Sequence, residues 1–115
     1  MIINWEKVVI MIKPGKVDFR KQINGLCAIV ENELKYNLFS NYLFIFCNRN
    51  RSRLKILYWD RNGFCLWLKR LEKDKFPWPM NRKEATEITQ EQFSFLLQGI
   101  DFWKAHKKLD YQSVS

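Results

Sequence analysis

The chain has 115 residues, with 20 Lys and Arg against 12 Asp and Glu and a formal net charge of +8. At 47% hydrophobic residues, 16% aromatics, four Gly and three Pro, it carries too much apolar material for a disordered or collagen-like chain and is too short for two ordinary domains. Its apolar runs, such as Val8 to Ile12, fall far below the roughly 20 residues of a membrane-spanning helix, and the positive field favours an anionic partner such as nucleic acid.

Val8 to Lys13 is rich in β-branched residues and is predicted as a first strand, closed by a turn at Pro14-Gly15. Asp18 is the expected N-cap of a long helix, in which Phe19, Ile23, Leu26, Cys27, Val30 and Leu34 recur at helical spacing as a core face. Gly25 inside that stripe suggests close packing against a neighbouring element. Tyr42–Cys47, Arg53–Trp59 and Phe64–Leu71 are three further strands. The first pair is linked by residues 48–52 and the second by Asp60-Arg61-Asn62-Gly63, where Asn-Gly supplies residues that tolerate positive φ.

Phe76-Pro77-Trp78-Pro79 ends the last of these strands, since two prolines withhold ladder donors, and should form a stiff loop. Ala85 to Ile88 is a short strand, and Thr89-Gln90-Glu91-Gln92 has the form of a capping box opening a shorter helix. Gly99 is its natural C′ residue, with Ile100 placed for the apolar contact of a Schellman end. The expected architecture is therefore α+β: a mainly antiparallel sheet of four to five strands, with one long helix on a face and a shorter C-terminal helix closing an end. Residues 1–100 form the single domain of this reading, and residues 101–115 a polar, partly flexible tail.

Residues 49–75 contain Arg49, Arg51, Arg53, Lys55, Arg61, Lys69, Arg70, Lys73 and Lys75 against Asp60, Glu72 and Asp74, which places +6 of the net charge in the central strands and their edges. Strand alternation puts Arg49, Arg51, Arg53 and Lys55 on one side of an extended segment. Such a row, with Arg61, Lys69 and Arg70 nearby, is a candidate DNA-binding face running along phosphates. The same row is equally what the wet side of a half-buried sheet requires. Trp59 and Trp78, the latter held between prolines, are candidate anchors for a protein partner.

Little in the chain supports catalysis. The one His, His106, falls in the tail, far from any nucleophile pattern. Pro14-Gly15-Lys16-Val17 lacks the first Gly of a phosphate-binding loop and has Val where Ser or Thr holds magnesium. Asp18, Asp60, Asp74 and Asp101 each have a local role as cap, turn or strand-end residue, so no metal site is read from them. Cys27, Cys47 and Cys65 are odd in number, lie in apolar stretches and contain no CxxC pair, which predicts free thiols, with no metal and no cofactor. The N-terminus, with Asn4, Glu6 and Lys7, does not read as a secretory leader, and the expected location is the cytoplasm.

The order of motifs adds a resemblance. Leu54-Lys55-Ile56-Leu57-Tyr58-Trp59-Asp60, then Gly63-Phe64-Cys65-Leu66-Trp67, Lys69-Arg70-Leu71-Glu72 and Phe76-Pro77-Trp78-Pro79 closely resemble the TnpB (Orf2-like) accessory family of the IS-sixty-six insertion sequences. Asp18-Phe19-Arg20-Lys21 with Asn24-Gly25-Leu26, and Leu43-Phe44-Ile45-Phe46 with Arg49, resemble its first helix and second strand. Two departures stand out: Lys16 occupies the position where the family commonly has Pro, and residues 48–52 lack the Gly often found in its second turn. The resemblance implies a non-catalytic protein that supports DNA transposition, acting with a separate catalytic transposase and another accessory protein of the element. Two modes are compatible with it: direct DNA contact through the basic face, or an adaptor role through Trp59 and Trp78 without DNA contact.

Overall fold

The computed structural model describes residues 3–103. Five strands form one sheet in the order β4-β3-β2-β1-β5, with β1 at Val9–Lys16, β2 at Tyr42–Cys47, β3 at Arg53–Asp60, β4 at Gly63–Arg70 and β5 at Thr86–Ile88. Only β1 and β2 run parallel, and the remaining neighbours are antiparallel. A parallel pair needs a crossover. Here it carries helix α1, Ile23–Ala28, which continues directly into a π-helical stretch, Ile29–Leu34, ended by Lys35 in the left-handed region at φ 63°. The C-terminal helix α2 spans Gln90–Leu97 and is shorter than α1 taken with its π-helical continuation.

The two helices lie on opposite faces of the sheet. Leu26, Cys27, Ile29 and Val30 pack on Met11, Phe44, Phe46 and Leu57, while Phe93 and Leu96 of α2 pack on Ile10, Ile12, Leu43, Ile45 and Ile56. Thus α2 covers the second face instead of merely closing an end. The central β2 is covered from both sides, which is why its sequence reads as an unbroken apolar run without alternation.

Four local expectations are corrected. Pro14-Gly15 does not close β1: the strand runs on to Lys16 through an irregularity after Ile12, where Gly15 at φ 78° donates its N–H to Pro79 O at 2.9 Å. Asp18 does not cap α1, whose N-cap is Gln22 without a side-chain bond. Its carboxylate instead accepts the Arg20 N–H at 2.9 Å and the Arg20 guanidinium at 2.6 Å, closing a turn ahead of the helix. Arg61, at φ 55°, takes the left-handed conformation of the β3–β4 turn, while Gly63 is already paired with Asp60 in the sheet. At Gly25 the nearest neighbour is not another element of the core: a Cβ there would first meet the Lys21 side chain, in the turn before α1, at 3.0 Å.

The end of α2 matches its pattern. Thr89 Oγ1 accepts the Gln92 N–H and the Gln92 side chain accepts the Thr89 N–H. Gly99 at φ 76° and Ile100 donate to Leu96 O and Phe95 O, the two bonds of a Schellman end, although Ile100 itself stays 45% exposed. The core extends past residue 100, because Phe102 is buried and Trp103 Nε1 donates to Pro77 O. The rest of the sequence-predicted tail, His106 included, lies outside the described residues. Among the described residues no helix is long and apolar enough to cross a membrane.

Candidate nucleic-acid interface

The strand order decides which basic residues meet. β1 and β2 finish, β3 begins and β4 finishes at one end of the sheet. Three segments converge there: residues 13–21, 48–53 and 69–75. They hold eleven Lys and Arg against three Asp and Glu, more than half the cations of the chain and a quarter of its acids. The last segment is tied down by two backbone bonds, Leu71 N–H to Ser52 O at 2.8 Å and Phe76 N–H to Arg51 O at 2.7 Å.

Arg49, Arg51 and Arg53 sit on a loop that Asn48 organises. Its Oδ1 accepts the N–H groups of Ser52 and Arg53 at 2.9 and 3.0 Å, and its Nδ2 donates to Ser52 Oγ. With Arg51 at φ 58°, these bonds supply the reversal that Gly would otherwise provide. Arg49 and Arg53 are exposed and Arg51 is half-buried. Arg53 lies directly opposite Arg70, and Lys69 opposite Leu54. Like charges facing across strands destabilise a sheet; Glu72 relieves one of them by pairing with Arg70 at 2.8 Å. A groove of about 790 Å³ beside the loop is lined by Lys16, Asp18, Phe19, Asn48, Arg49 and Asn50. The Asp18 carboxylate in this lining is held down to about 2 by its hydrogen bonds from Arg20.

Two of the sequence candidates do not belong to this face. Lys55 is buried: its ammonium donates to Phe19 O at 2.9 Å and Lys21 O at 2.8 Å and lies 4.9 Å from the centre of the Phe19 ring. Burial lowers its pKa, and Asp18 offsets part of that shift. The residue pins the turn before α1 and reaches no external ligand. Arg61 lies at the far turn, beyond seven residue steps of β3 from Arg53, or roughly 23 Å, and lines a separate groove with Asp60, Trp59, Phe39 and Trp5.

Of the two candidate anchors, Trp78 is 5% exposed, packed in the core of the α2 face with its Nε1 donating to Gly15 O at 3.0 Å. It is therefore no external anchor. Its flanking prolines hold the chain against the β1 irregularity, where the Gly15 N–H and C=O both bond to this segment. Trp59 is half-buried and meets Phe39 edge-on at 4.8 Å and Phe64 at 4.9 Å, and Phe39 is 60% exposed.

Sequence reasoning missed Lys16, because its place beside Asn48, Arg49 and Asn50 depends on the parallel β1–β2 pairing; it missed Lys13 and Lys21, which line a neighbouring groove with Lys16, and Asn48, whose role is legible only from its bonds. Cys27 and Cys47 are buried free thiols, burial raising Cys47 to about 12; Cys65 is free and half-buried. Among the described residues, no group of three or more His, Cys, Asp and Glu side chains is placed to hold a metal ion.

Residues 8–107 match the family described as IS66 Orf2 like protein. Two proteins of Sinorhizobium fredii (strain NBRC 101917 / NGR234), both described as uncharacterized, are similar over most of their length. The chain is 35% identical to y4jC over 99 residues, covering 86% of this chain and 85% of that protein. It is 36% identical to y4hO over 102 residues, 89% of each. No solved structure shows a significant match.

Proposed function

The chain belongs to the IS66 Orf2-like family, and from that premise we propose that it is a non-catalytic accessory factor of DNA transposition that holds duplex DNA against the basic end of its sheet. Arg49, Arg51 and Arg53 make the phosphate contacts, extended by Lys16, while Arg70 is shared with Glu72. The observation that carries this reading is the convergence of eleven cations and three acids at one end of the sheet. Arg53 points the same way: it is exposed and faces Arg70 across the ladder, Glu72 pairs with Arg70 alone, and a phosphate is a favourable partner for the guanidinium that remains. The factor acts in the cytoplasm beside a separate catalytic transposase of the element.

The test is binding of the purified protein to terminal-repeat and random duplexes over a salt series. Each lost phosphate contact lowers the slope of log affinity against log salt by about 0.9, so replacing Arg49, Arg51 and Arg53 by Ala should remove about 2 to 3 from it. Arg61→Ala should leave the slope unchanged. Absence of binding at low salt, or a triple variant that binds like the parent, rejects the reading. An adaptor role through Trp59 and Trp78, contacting the transposase or the sister accessory protein without DNA, keeps only Trp59, since Trp78 is in the core.

A further inference from the structure

β4 is an outer strand of the sheet. The Leu71 N–H bonds to Ser52 O, so by the alternation of antiparallel ladders the odd-numbered positions of β4 turn their backbone groups toward β3. The N–H and C=O groups of Phe64, Leu66 and Leu68 then point outward from the sheet. The side chains of these three residues share the α1 face. Phe64 and Leu66 pack partly against its core, while Leu68 is 60% exposed. Beside them, Phe39, also 60% exposed, leans on Trp59 and Phe64. An outer strand with an apolar row and outward hydrogen-bonding groups is a template for another strand.

We propose that β4 is the seam of a homodimer: two copies pair their β4 strands antiparallel about a two-fold axis through Leu66, perpendicular to the sheet. The charges and apolar groups of the strand complement themselves in this arrangement. A perpendicular axis keeps like faces together, so Leu68 lies opposite Phe64 of the second copy and covers that copy's Phe39–Trp59–Phe64 cluster. On the other face Lys69 lies opposite Gly63 of the second copy. A Cβ at Gly63 would meet nothing within 4 Å, and the residue paired with Gly63 on the next strand is Asp60. The lysine reaches across a bare position to a carboxylate two strand spacings away, about 10 Å between Cα atoms.

Among the described residues neither Lys69 nor Asp60 makes an ion pair. Moving the axis to Trp67 would set Lys69 against Cys65 and leave Asp60 alone, so the charges select the register. Arg70, which meets the second copy's Asn62, is already neutralised by Glu72. The two-fold also sends the basic ends to opposite poles, keeping their repulsion small. An isologous contact of this kind closes at two copies. The inference stands apart from DNA binding, because its readout is mass.

Sedimentation equilibrium of the full chain should return twice the 14.0 kDa of one copy. Asp60→Lys and Lys69→Glu should each raise the dimer dissociation constant, on the order of 10-fold, since each variant loses two exposed ion pairs per dimer and sets like charges in their place. The double variant, with the charges exchanged, should return to within about 3-fold of the parent. Leu68→Lys, at a side chain already largely in water, should yield a folded monomer. A parent that stays monomeric at hundreds of micromolar on the scale of weak association overturns the proposal, leaving the edge for a different protein. So does a dimer that survives Leu68→Lys, or a charge exchange that fails to restore pairing.

Discussion

The two ends of the sheet are built by opposite means. At the end where β1 and β2 finish, the charged residues stand on polar scaffolding, half-buried at Asn48 and buried at Lys55 and Trp78: Asn48 holds the arginine loop, Lys55 ties Phe19 and Lys21 together, and Trp78 bonds Gly15 beneath them. At the β3–β4 turn the relation is reversed. There the apolar groups are the ones in water, with Phe39, Trp59 and Phe64 holding one another by ring contacts at 4.8 to 5.8 Å. A buried hydrogen-bonded scaffold fixes where charges point, which suits contact with a regularly spaced polyanion. A half-exposed aromatic cluster fixes little by itself and gains most when something covers it.

The sharpest way to break this comparison is to remove one tryptophan from each end. Trp78→Ala should cost about 3–5 kcal/mol of stability, as loss of a buried large aromatic does, read by urea unfolding monitored in the far ultraviolet. Trp59→Ala should cost less than half of that. Equal costs would show that the turn end is as firmly built as the basic end.

Lys55 and Arg53 sharpen it further, being two positions apart on one strand with side chains on the same face. Lys55→Ala strands the carbonyls of Phe19 and Lys21 and should destabilise by about 1–3 kcal/mol. Arg53→Ala should change stability by no more than about 0.5 kcal/mol while lowering the salt slope of DNA binding by about 1. If Lys55→Ala instead leaves stability untouched, its role as a pin for the turn is wrong.

A smaller effect is expected at α2, which starts near the turn end, where Gln90 donates to Trp5 O. Thr89→Ala removes one half of the capping box and should cost about 1 kcal/mol, measured as a shift of the thermal midpoint. The smallest effect concerns acid. Asp18 is held down to about 2 in the folded chain by Arg20, so its contribution is fully present above the ordinary carboxylate range and is lost as pH falls through about 2. Asp18→Asn should flatten the stability profile between roughly pH 4 and pH 2, and an unchanged slope there would assign the acid response to other groups.

How much was legible in the sequence differs by element for physical reasons. β2, β3 and β4 were placed to within a residue or two because apolar runs and turn residues report burial directly. The capping box was readable because its two bonds join residues three apart. Asp18 misled because an acid before an apolar stripe suits a cap and an Asx-type turn equally well, and the choice fell to Arg20. Lys55 was read as part of a wet face because alternation assigns a side of the strand but not whether another segment crosses it. Trp78 was offered as an anchor because a Pro-flanked ring looks rigid whether it points in or out.

The amino-acid sequence by itself determined the class of fold, the positions of most strands, the family and the concentration of positive charge in the middle of the chain. The family follows from the resemblance of its motifs, and the rest from composition, spacing and bonds between near neighbours. The tertiary structure alone decided which charges stand together: the parallel β1–β2 pairing brings Lys16 beside Arg49, the crossing turn buries Lys55, and strand length carries Arg61 to the opposite end. Such neighbours are set by the order of strands, a property of contacts between distant segments to which no local pattern is sensitive.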